Sequence, residues 1–294
     1  MISSQGLIAA NSTTSFSFNI VYDLLVMVRY PFMRNAFIAG SAVAVLAGVV
    51  GYFIVSRRSS FAAHALSHVG FAGAAGAVVV GLTPLEGLLG FTTVGAIVMG
   101  ALGKRGELRD SQIGIVLSFM LGLGVLFISL YQGYASEAYS ILFGQILGIS
   151  NASVVFTVIS ALILLLVMRI ALNVLLFASF DEEVANSQGV PTRLISYAFL
   201  VVVAVTVAVA VQIIGVLLIF SLLVTPAAAA IRISGRPRIA ILASVAISTL
   251  ITWVGLFVSF YQPYPVSFFI TAFGFLAYLL TRLKPLATQF ALKS

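Results

Sequence analysis

The sequence predicts an all-α fold: a polytopic integral membrane bundle of eight to nine transmembrane helices per protomer, with one short cytoplasmic helix. Of its 294 residues, 61% are hydrophobic and only 8% are charged, and the mean hydropathy is +1.18. Soluble domains contain roughly 45–50% apolar and 25% charged residues. The apolar residues also occur in uncharged runs of about 20, the length that crosses a bilayer as a helix. A water-soluble core would not need so much apolar surface.

Five spans follow directly from uncharged runs that end at polar or charged residues. They cover residues 35–56, 59–85, 87–103, 113–130 and 152–173. A turn at Thr83 and Pro84, followed by Glu86, closes the second of them. The polar connection over residues 131–151 contains an apolar piece at residues 141–148, which is short enough to dip into the bilayer without crossing it.

Two longer uncharged runs must each be divided. Residues 194–231 hold 38 uncharged positions, about 57 Å of helix against a hydrocarbon core of about 30 Å. Gln212 and Gly215 mark the expected break. Residues 239–281 divide at residues 261–265, where prolines and tyrosines interrupt the run. The total is nine spans, or eight if one of these pieces is re-entrant.

The basic residues predict the orientation of the spans. When the spans alternate in direction, all of the 15 lysines and arginines except Arg29 and Arg34 fall on one side. The positive-inside rule assigns that side to the cytoplasm. We therefore expect a multi-pass protein of the cell membrane, with its N-terminus outside and its C-terminus in the cytoplasm.

This topology divides the chain into three parts. We expect an extracytoplasmic N-terminal segment at residues 1–33, a transmembrane domain at residues 34–285 and a cytoplasmic tail at residues 286–294. Residues 1–15 contain no basic stretch before an apolar core, so we expect no cleaved signal peptide. Residues 16–33 are interrupted by Asn19, Asp23 and Arg29, and we expect them to form an interfacial amphipathic segment rather than a span.

The two histidines of the chain, His64 and His68, lie four residues apart inside an apolar stretch. In a helix, positions i and i+4 lie on the same face. Two imidazoles placed in this way can converge on one Zn²⁺ or other transition-metal ion, and ionisable side chains inside a membrane are by default candidates for function. The plainer alternative is that each histidine bonds a backbone carbonyl.

The most polar interior loop, residues 180–191, carries three consecutive acids on the side assigned to the cytoplasm. Asp181 is a suitable helix N-cap, Glu182 and Glu183 favour a first helical turn, and Gly189 is a suitable helix end. The pattern predicts a cytoplasmic helix of about two turns. Its function would be to dock a soluble partner, and the alternative is a simple solvated loop.

Several classes of function are disfavoured by the sequence. Because there is no cysteine, thiol chemistry and cysteine-based zinc sites are excluded. Gly103, Lys104 and Arg105 lack the second glycine and the Ser or Thr of a phosphate-binding loop, so we expect no ATPase in this chain. No catalytic arrangement of Ser, His and acid is present. The net charge of +7 resides in short loops between spans, which argues against nucleic-acid binding.

Together these features resemble the membrane permeases of ABC-type metal uptake systems, the zinc, manganese and iron class, over about residues 30–283. The resemblance is carried by four motifs in order: Arg57 and Arg58 before Ala65, His68 and Gly73; Leu142, Phe143 and Gly144 before Ile149 and Ser150; Asp181, Glu182 and Glu183 with Ala185 and Gly189; and Gly215 with Pro226.

The resemblance implies a homodimer that a pair of cytoplasmic ATP-binding subunits drives by alternating access. An extracytoplasmic metal-binding protein would supply the transported zinc or manganese, and no cofactor would be tightly bound. The helix with Asp181, Glu182, Glu183, Ala185 and Gly189 would be the coupling helix that fits into the ATPase. We therefore expect a permease, not an enzyme.

The chain departs from the family pattern at His64, since that position is usually an acid. Two neutral imidazoles favour Zn²⁺, whereas a carboxylate beside an imidazole suits Mn²⁺. Two alternatives stay open: a stand-alone secondary transporter or channel for metal ions, and a membrane enzyme with a histidine-bound metal.

Overall fold

A computed structural model describes residues 20–102, 110–130, 144, 146–262 and 264–291. The helices of these residues are α1 (Ile20–Arg29), α2 (Pro31–Ser56), α3 (Ser60–Val79), α4 (Pro84–Leu102), α5 (Asp110–Leu130), α6 (Asn151–Phe180), α7 (Glu182–Ser187), α8 (Thr192–Ile214), α9 (Val216–Ile233), α10 (Pro237–Tyr261) and α11 (Val266–Ala291). Within the described part of the chain, nine helices are long and apolar enough to cross a membrane, all except α1 and α7. This confirms the predicted class and the higher of the two predicted span counts.

The centre of the bundle is formed by α2, α3, α8 and α9, which pack against one another. Half or more of the most apolar window of each is buried, compared with 17% for α5 and α11. Around this centre, α4 and α5 cover α3, α6 and α10 cover α2, and α11 covers α9 and α10. The peripheral helices therefore present most of the apolar surface that the composition predicts.

Basic residues gather at one end of the bundle, which we call the basic end. Arg57, between α2 and α3, bonds Ser179 at the end of α6 and Ser196 near the start of α8. Close backbone packing of α2 against α9 and α10 places their loop at the same end. The arginines at this end include Arg57, Arg58, Arg193, Arg232, Arg236 and Arg238. Lys104, Arg105, Arg109 and Lys293 fall outside the described residues.

Arg29 and Arg34 lie at the opposite end. There the Tyr30 and Phe260 rings are 5.7 Å apart, and Asn35 Nδ2 donates to the carbonyl oxygen of Ile149 at 3.1 Å. The separation of Arg29 and Arg34 from the other described arginines agrees with the alternation that the sequence predicts.

The third span begins earlier than predicted, at Pro84 instead of Gly87. Glu86, which the sequence analysis placed outside the span, lies in the first turn of α4. Its carboxylate accepts from the backbone N–H of Thr83 at 2.8 Å, and the Thr83 hydroxyl accepts from the N–H of Glu86 at 3.4 Å. This reciprocal pair is a capping box, which stabilises the start of the helix.

The fifth span is much longer than the predicted residues 152–173. α6 has 30 residues and ends at Phe180, which is about 45 Å of helix. The predicted span ended at Asn173, but the residues that follow it up to Phe180 are mostly apolar and continue the helix. A single polar residue therefore does not end α6. α11 likewise continues beyond its predicted end, to Ala291, through residues assigned to the tail.

The predicted break near Gln212 and Gly215 is confirmed. α8 ends at Ile214 and α9 begins at Val216, and Gly215 between them has φ +79°. A Cβ on Gly144 would collide with the backbone of Ile214 and Gly215. The connection before α6 therefore packs into the bundle at this junction.

The apolar piece of that connection does enter the bundle. Ile146 is 7% exposed, and its Cδ1 would lie 3.7 Å from a Cβ on Gly40, nine residues into α2. Residues 141–143 and 145, which include Leu142 and Phe143 of the second motif, lie outside the described part.

Helix α1 has 10 residues and is too short to span the bilayer. It packs on α2 and buries Asp23 and Met27, while Tyr22, Leu25 and Val28 are exposed. Its interfacial location stays a prediction.

Candidate metal site and coupling helix

The helix that carries both histidines is enclosed because its side chains are small. α3 contacts α4, α5, α8 and α9, and alanines and glycines fill most of its buried positions. At its crossing with α4, a Cβ on Gly73 would meet the Gly87 carbonyl oxygen and the Phe91 ring. Small residues of this kind allow backbones to approach closely in membranes, and here they fix the position of α3.

His64 and His68 lie together on one face of α3, as the spacing predicts. Their ring centroids are 4.7 Å apart and the rings meet edge to face at 83°. Both side chains are half-buried. Zinc–imidazole bonds are about 2.0–2.1 Å long, so this ring separation is compatible with two nitrogens on one ion.

The His64 ring also meets Phe220 of α9, with centroids 4.7 Å apart. Its Nδ1 is buried and has no hydrogen-bonding partner among the described residues. A buried polar atom of this kind is costly unless something satisfies it. The plain alternative, a histidine satisfied by a backbone carbonyl, is therefore not seen at this nitrogen.

The pair is not a complete metal cage. Within the part of the chain that the structure describes, no group of three or more His, Cys, Asp or Glu side chains could hold a metal ion. Two imidazoles can bind a transition-metal ion only with water or with ligands from elsewhere, which suits transient binding better than permanent coordination.

The histidines border a strip of the bundle surface that the described residues leave partly uncovered. On α9 the partly or fully exposed residues recur at helical spacing: Leu217, Phe220, Ser221, Val224, Thr225 and Ala228. Phe61, His64 and His68 continue the surface on α3. The hydroxyl oxygens of Ser221 and Thr225 are 3.5 Å apart, so this strip is more polar than a surface that faces only lipid.

The depth of the pair follows from its place in α3. His64 lies four residues and His68 eight residues beyond Ser60, about 6 Å and 12 Å along the axis. Both histidines therefore lie in the half of the span nearer the basic end.

The short helix predicted within residues 180–191 is present as α7; its coupling role stays a prediction. Asp181 Oδ1 accepts from the backbone N–H of Val184 at 2.9 Å, as expected of an N-cap. Gly189 has φ +81°, which a glycine adopts without strain. Ala185 is fully buried, and its carbonyl accepts from the N–H of Val190 at 3.0 Å.

Among the described residues, the bundle covers one side of this helix. Ala185 is its buried side chain, whereas Glu183 and Val184 are exposed and Glu182 is partly exposed. α7 therefore presents an acidic surface at the basic end of the molecule.

Arg57, in the loop before α3, bonds residues of both helices that flank α7. The sequence analysis did not predict these contacts. Its guanidinium donates to the hydroxyls of Ser179 at 3.3 Å and Ser196 at 2.7 Å, and lies 5.7 Å from the Phe199 ring centre. Burial lowers the pKa of Arg57 below its ordinary value, and the charge of Glu182 opposes that shift. The sequence shows a basic loop but not the two serines, because these lie more than 120 residues away.

Known proteins resemble this chain in sequence. Manganese import system permease protein ScaB of Streptococcus parasanguinis is 30% identical over 233 residues, covering 79% of this chain and 83% of that protein. Manganese transport system membrane protein MntC of Listeria monocytogenes is 29% identical over 238 residues, covering 80% and 84%.

A solved structure, PsaBC from Streptococcus pneumoniae in complex with Fab, matches with a TM-score of 0.80 and 28% identity. The match covers 89% of this chain and 95% of that one. The family profile described as ABC 3 transport family matches residues 29–284. The chain is a member of the ABC 3 transport family.

Proposed function

We propose that this chain is the membrane permease of an ATP-driven importer of a divalent transition metal, zinc or manganese, and that His64 and His68 bind the metal in transit. The observation that carries the proposal is the histidine pair itself. Two imidazoles share one face of an enclosed span. One of them has a buried nitrogen without a partner among the described residues, and both border a strip that those residues leave partly uncovered. The names of the manganese-system relatives support the same substrate class.

The uncovered strip of α3 and α9 would be closed by a second copy of the chain. The metal would then pass between two copies, and the other copy or water would supply the ligands that this chain lacks. Binding through two neutral imidazoles is weak enough to permit release, as a transporter requires. The histidine at position 64 favours zinc over manganese.

The basic end would lie in the cytoplasm by the positive-inside rule, with the N-terminus outside. A separate ATP-binding subunit would dock on the acidic side of α7, and an extracytoplasmic binding protein would deliver metal at the opposite end. Arg57 would transmit movement of α7 to α3, because it bonds residues on both sides of α7 and lies three residues before α3.

The test is metal uptake by cells that carry the His64→Ala/His68→Ala variant. We expect metal-dependent growth and uptake of radioactive Zn²⁺ to be abolished with unchanged protein abundance. A matched control is Phe61→Ala, which truncates an exposed side chain of the same strip. Normal transport by the double variant would refute the metal site, and uptake that persists without any ATP-binding subunit would favour a secondary transporter or channel.

A second substitution addresses the choice of metal. His64→Asp restores a carboxylate at the position where the family usually has an acid. We expect the ratio of Mn²⁺ to Zn²⁺ uptake to rise, because a carboxylate is a harder ligand than imidazole. An unchanged ratio would show that His64 does not select the metal.

A further inference from the structure

A second unassigned feature lies on the other side of α2 from the pathway proposed above, and it does not depend on the proposed function. α2, α6 and α10 leave a groove of about 360 Å³ near the basic end. Its walls are mostly aliphatic, with Val49, Leu165 and Leu242 among them, and it also contains Arg169 and Arg238. A groove that is apolar along its walls and cationic at two points suits an amphipathic ligand.

Both arginines lie at a depth that matches one headgroup layer of the bilayer. Arg169 is the nineteenth residue of α6, about 27 Å from Asn151 and so near the edge of a hydrocarbon core of about 30 Å. Arg238 is the second residue of α10, which starts at the basic end. The aliphatic walls extend from this level towards the bilayer centre.

The two positive charges have no counter-charge among the residues that the structure describes. Neither guanidinium forms a hydrogen bond or an ion pair with any residue in the described ranges, and no acidic side chain lines the groove. Arginine binds phosphate oxygens through paired N–H groups. Basic pockets between membrane helices attract anionic lipid headgroups, so charge complementarity points to a phosphate.

The rim of the groove favours a lipid over a protein partner. Leu242, which lines the groove, is 69% exposed, and its side chain is purely hydrocarbon. The uncovered polar strip lies instead on α3 and α9. We propose that the groove binds one anionic phospholipid, with its phosphate on Arg169 and Arg238 and one acyl chain along Leu165 and Leu242.

The test uses the full-length chain in a neutral detergent, with short-chain phosphatidylglycerol, short-chain phosphatidylcholine or inorganic phosphate as probes. Bound lipid is counted by native mass spectrometry, and the thermal midpoint is followed in parallel. We expect phosphatidylglycerol alone to bind as one tight equivalent and to raise the midpoint. Arg169→Gln/Arg238→Gln should weaken that binding about 30-fold.

Arg232→Gln/Arg236→Gln is the matched control, because it removes two exposed charges from the same end without touching the groove. It should keep the tight equivalent. Leu242→Trp would fill the groove with no change of charge, and it should also lose the lipid. If the Arg169→Gln/Arg238→Gln variant does not fold, lipid binding by the Leu242→Trp variant provides the test.

Four results would overturn the proposal. Equal stabilisation by phosphatidylcholine would show that the charge of the lipid has no role. Equal loss of lipid binding in the Arg232→Gln/Arg236→Gln variant would show a general effect of surface charge. Equal stabilisation by inorganic phosphate would identify an ion site without a lipid. If a second copy of the chain covers the groove, the lipid will bind only to the monomeric chain. That result would also refute a lipid bound in the assembled protein.

Discussion

Helices α3 and α6 both cross the bilayer, but they differ in length, side-chain size and surroundings. The most apolar window of α3 has a mean hydropathy of 1.3 and is 72% buried, whereas that of α6 has 2.7 and is 28% buried. The less apolar helix is thus the better enclosed one. Protein neighbours replace lipid around α3, so its surface can be made of small residues and can include two histidines.

The first prediction tests the enclosure of α3. Gly73→Val should cost about 3 kcal/mol of folding stability or prevent folding, because the new side chain meets the Gly87 carbonyl and the Phe91 ring. Gly90→Val on α4 is the control, since a Cβ there meets nothing within 4 Å. Thermal midpoint and yield in detergent are the measurements. Equal losses in both variants would show that α3 is not specially enclosed.

The second prediction tests the link between α3 and α6. Arg57→Ala should cost about 2 kcal/mol of stability, because two hydrogen bonds to a charged group are lost. We also expect metal uptake to fall by about tenfold, a free-energy change of roughly 1.4 kcal/mol. Uptake per folded molecule and thermal midpoint are measured together.

Arg58→Ala is the control for Arg57, since it removes the same charge from an exposed side chain one residue further on. Arg57→Lys keeps the charge but not the paired geometry, and it should give intermediate uptake. If Arg58→Ala lowers uptake as much as Arg57→Ala, the effect comes from the charge of the loop and not from the contacts with Ser179 and Ser196.

The smallest effect is expected where α6 passes into α7. Asp181→Ala removes the cap on Val184 and should cost about 1 kcal/mol of local helix stability. Hydrogen exchange at the Val184 amide measures this as faster exchange. Asp181→Ser restores the cap without the charge and should return the slower rate. Fast exchange in the serine variant would mean that charge, and not the hydrogen bond, holds the helix start.

Much of the fold was predictable because membrane thickness limits the options. A run of 38 uncharged residues cannot be one span, and the break was found at Gly215 where it was expected. Helix ends were less predictable. The start of α4 depends on a capping box at Thr83 and Glu86, whose four-residue pattern is visible in the sequence. α6 continues past Asn173 through mostly apolar residues to Phe180, so a single polar residue is a poor marker of a helix end.

The candidate site was predictable only as a pattern within one helix. The spacing of His64 and His68 places both on one face of α3, and the structure agrees. The contact with Phe220 and the position of Arg57 between Ser179 and Ser196 join residues that are distant in the chain. A single sequence contains no local signal for such contacts.

The length of α6 gives it a mechanical consequence. Eleven residues follow Arg169 and eighteen precede it, about 17 Å and 27 Å of helix. If Arg169 acts as a fulcrum at the headgroup layer, a straight α6 is a lever with arms in the ratio of about 1.6. A sideways push of 1 Å on α7 would then move the far end of α6, where Asn151 meets Asn35 of α2, by about 1.6 Å in the opposite direction.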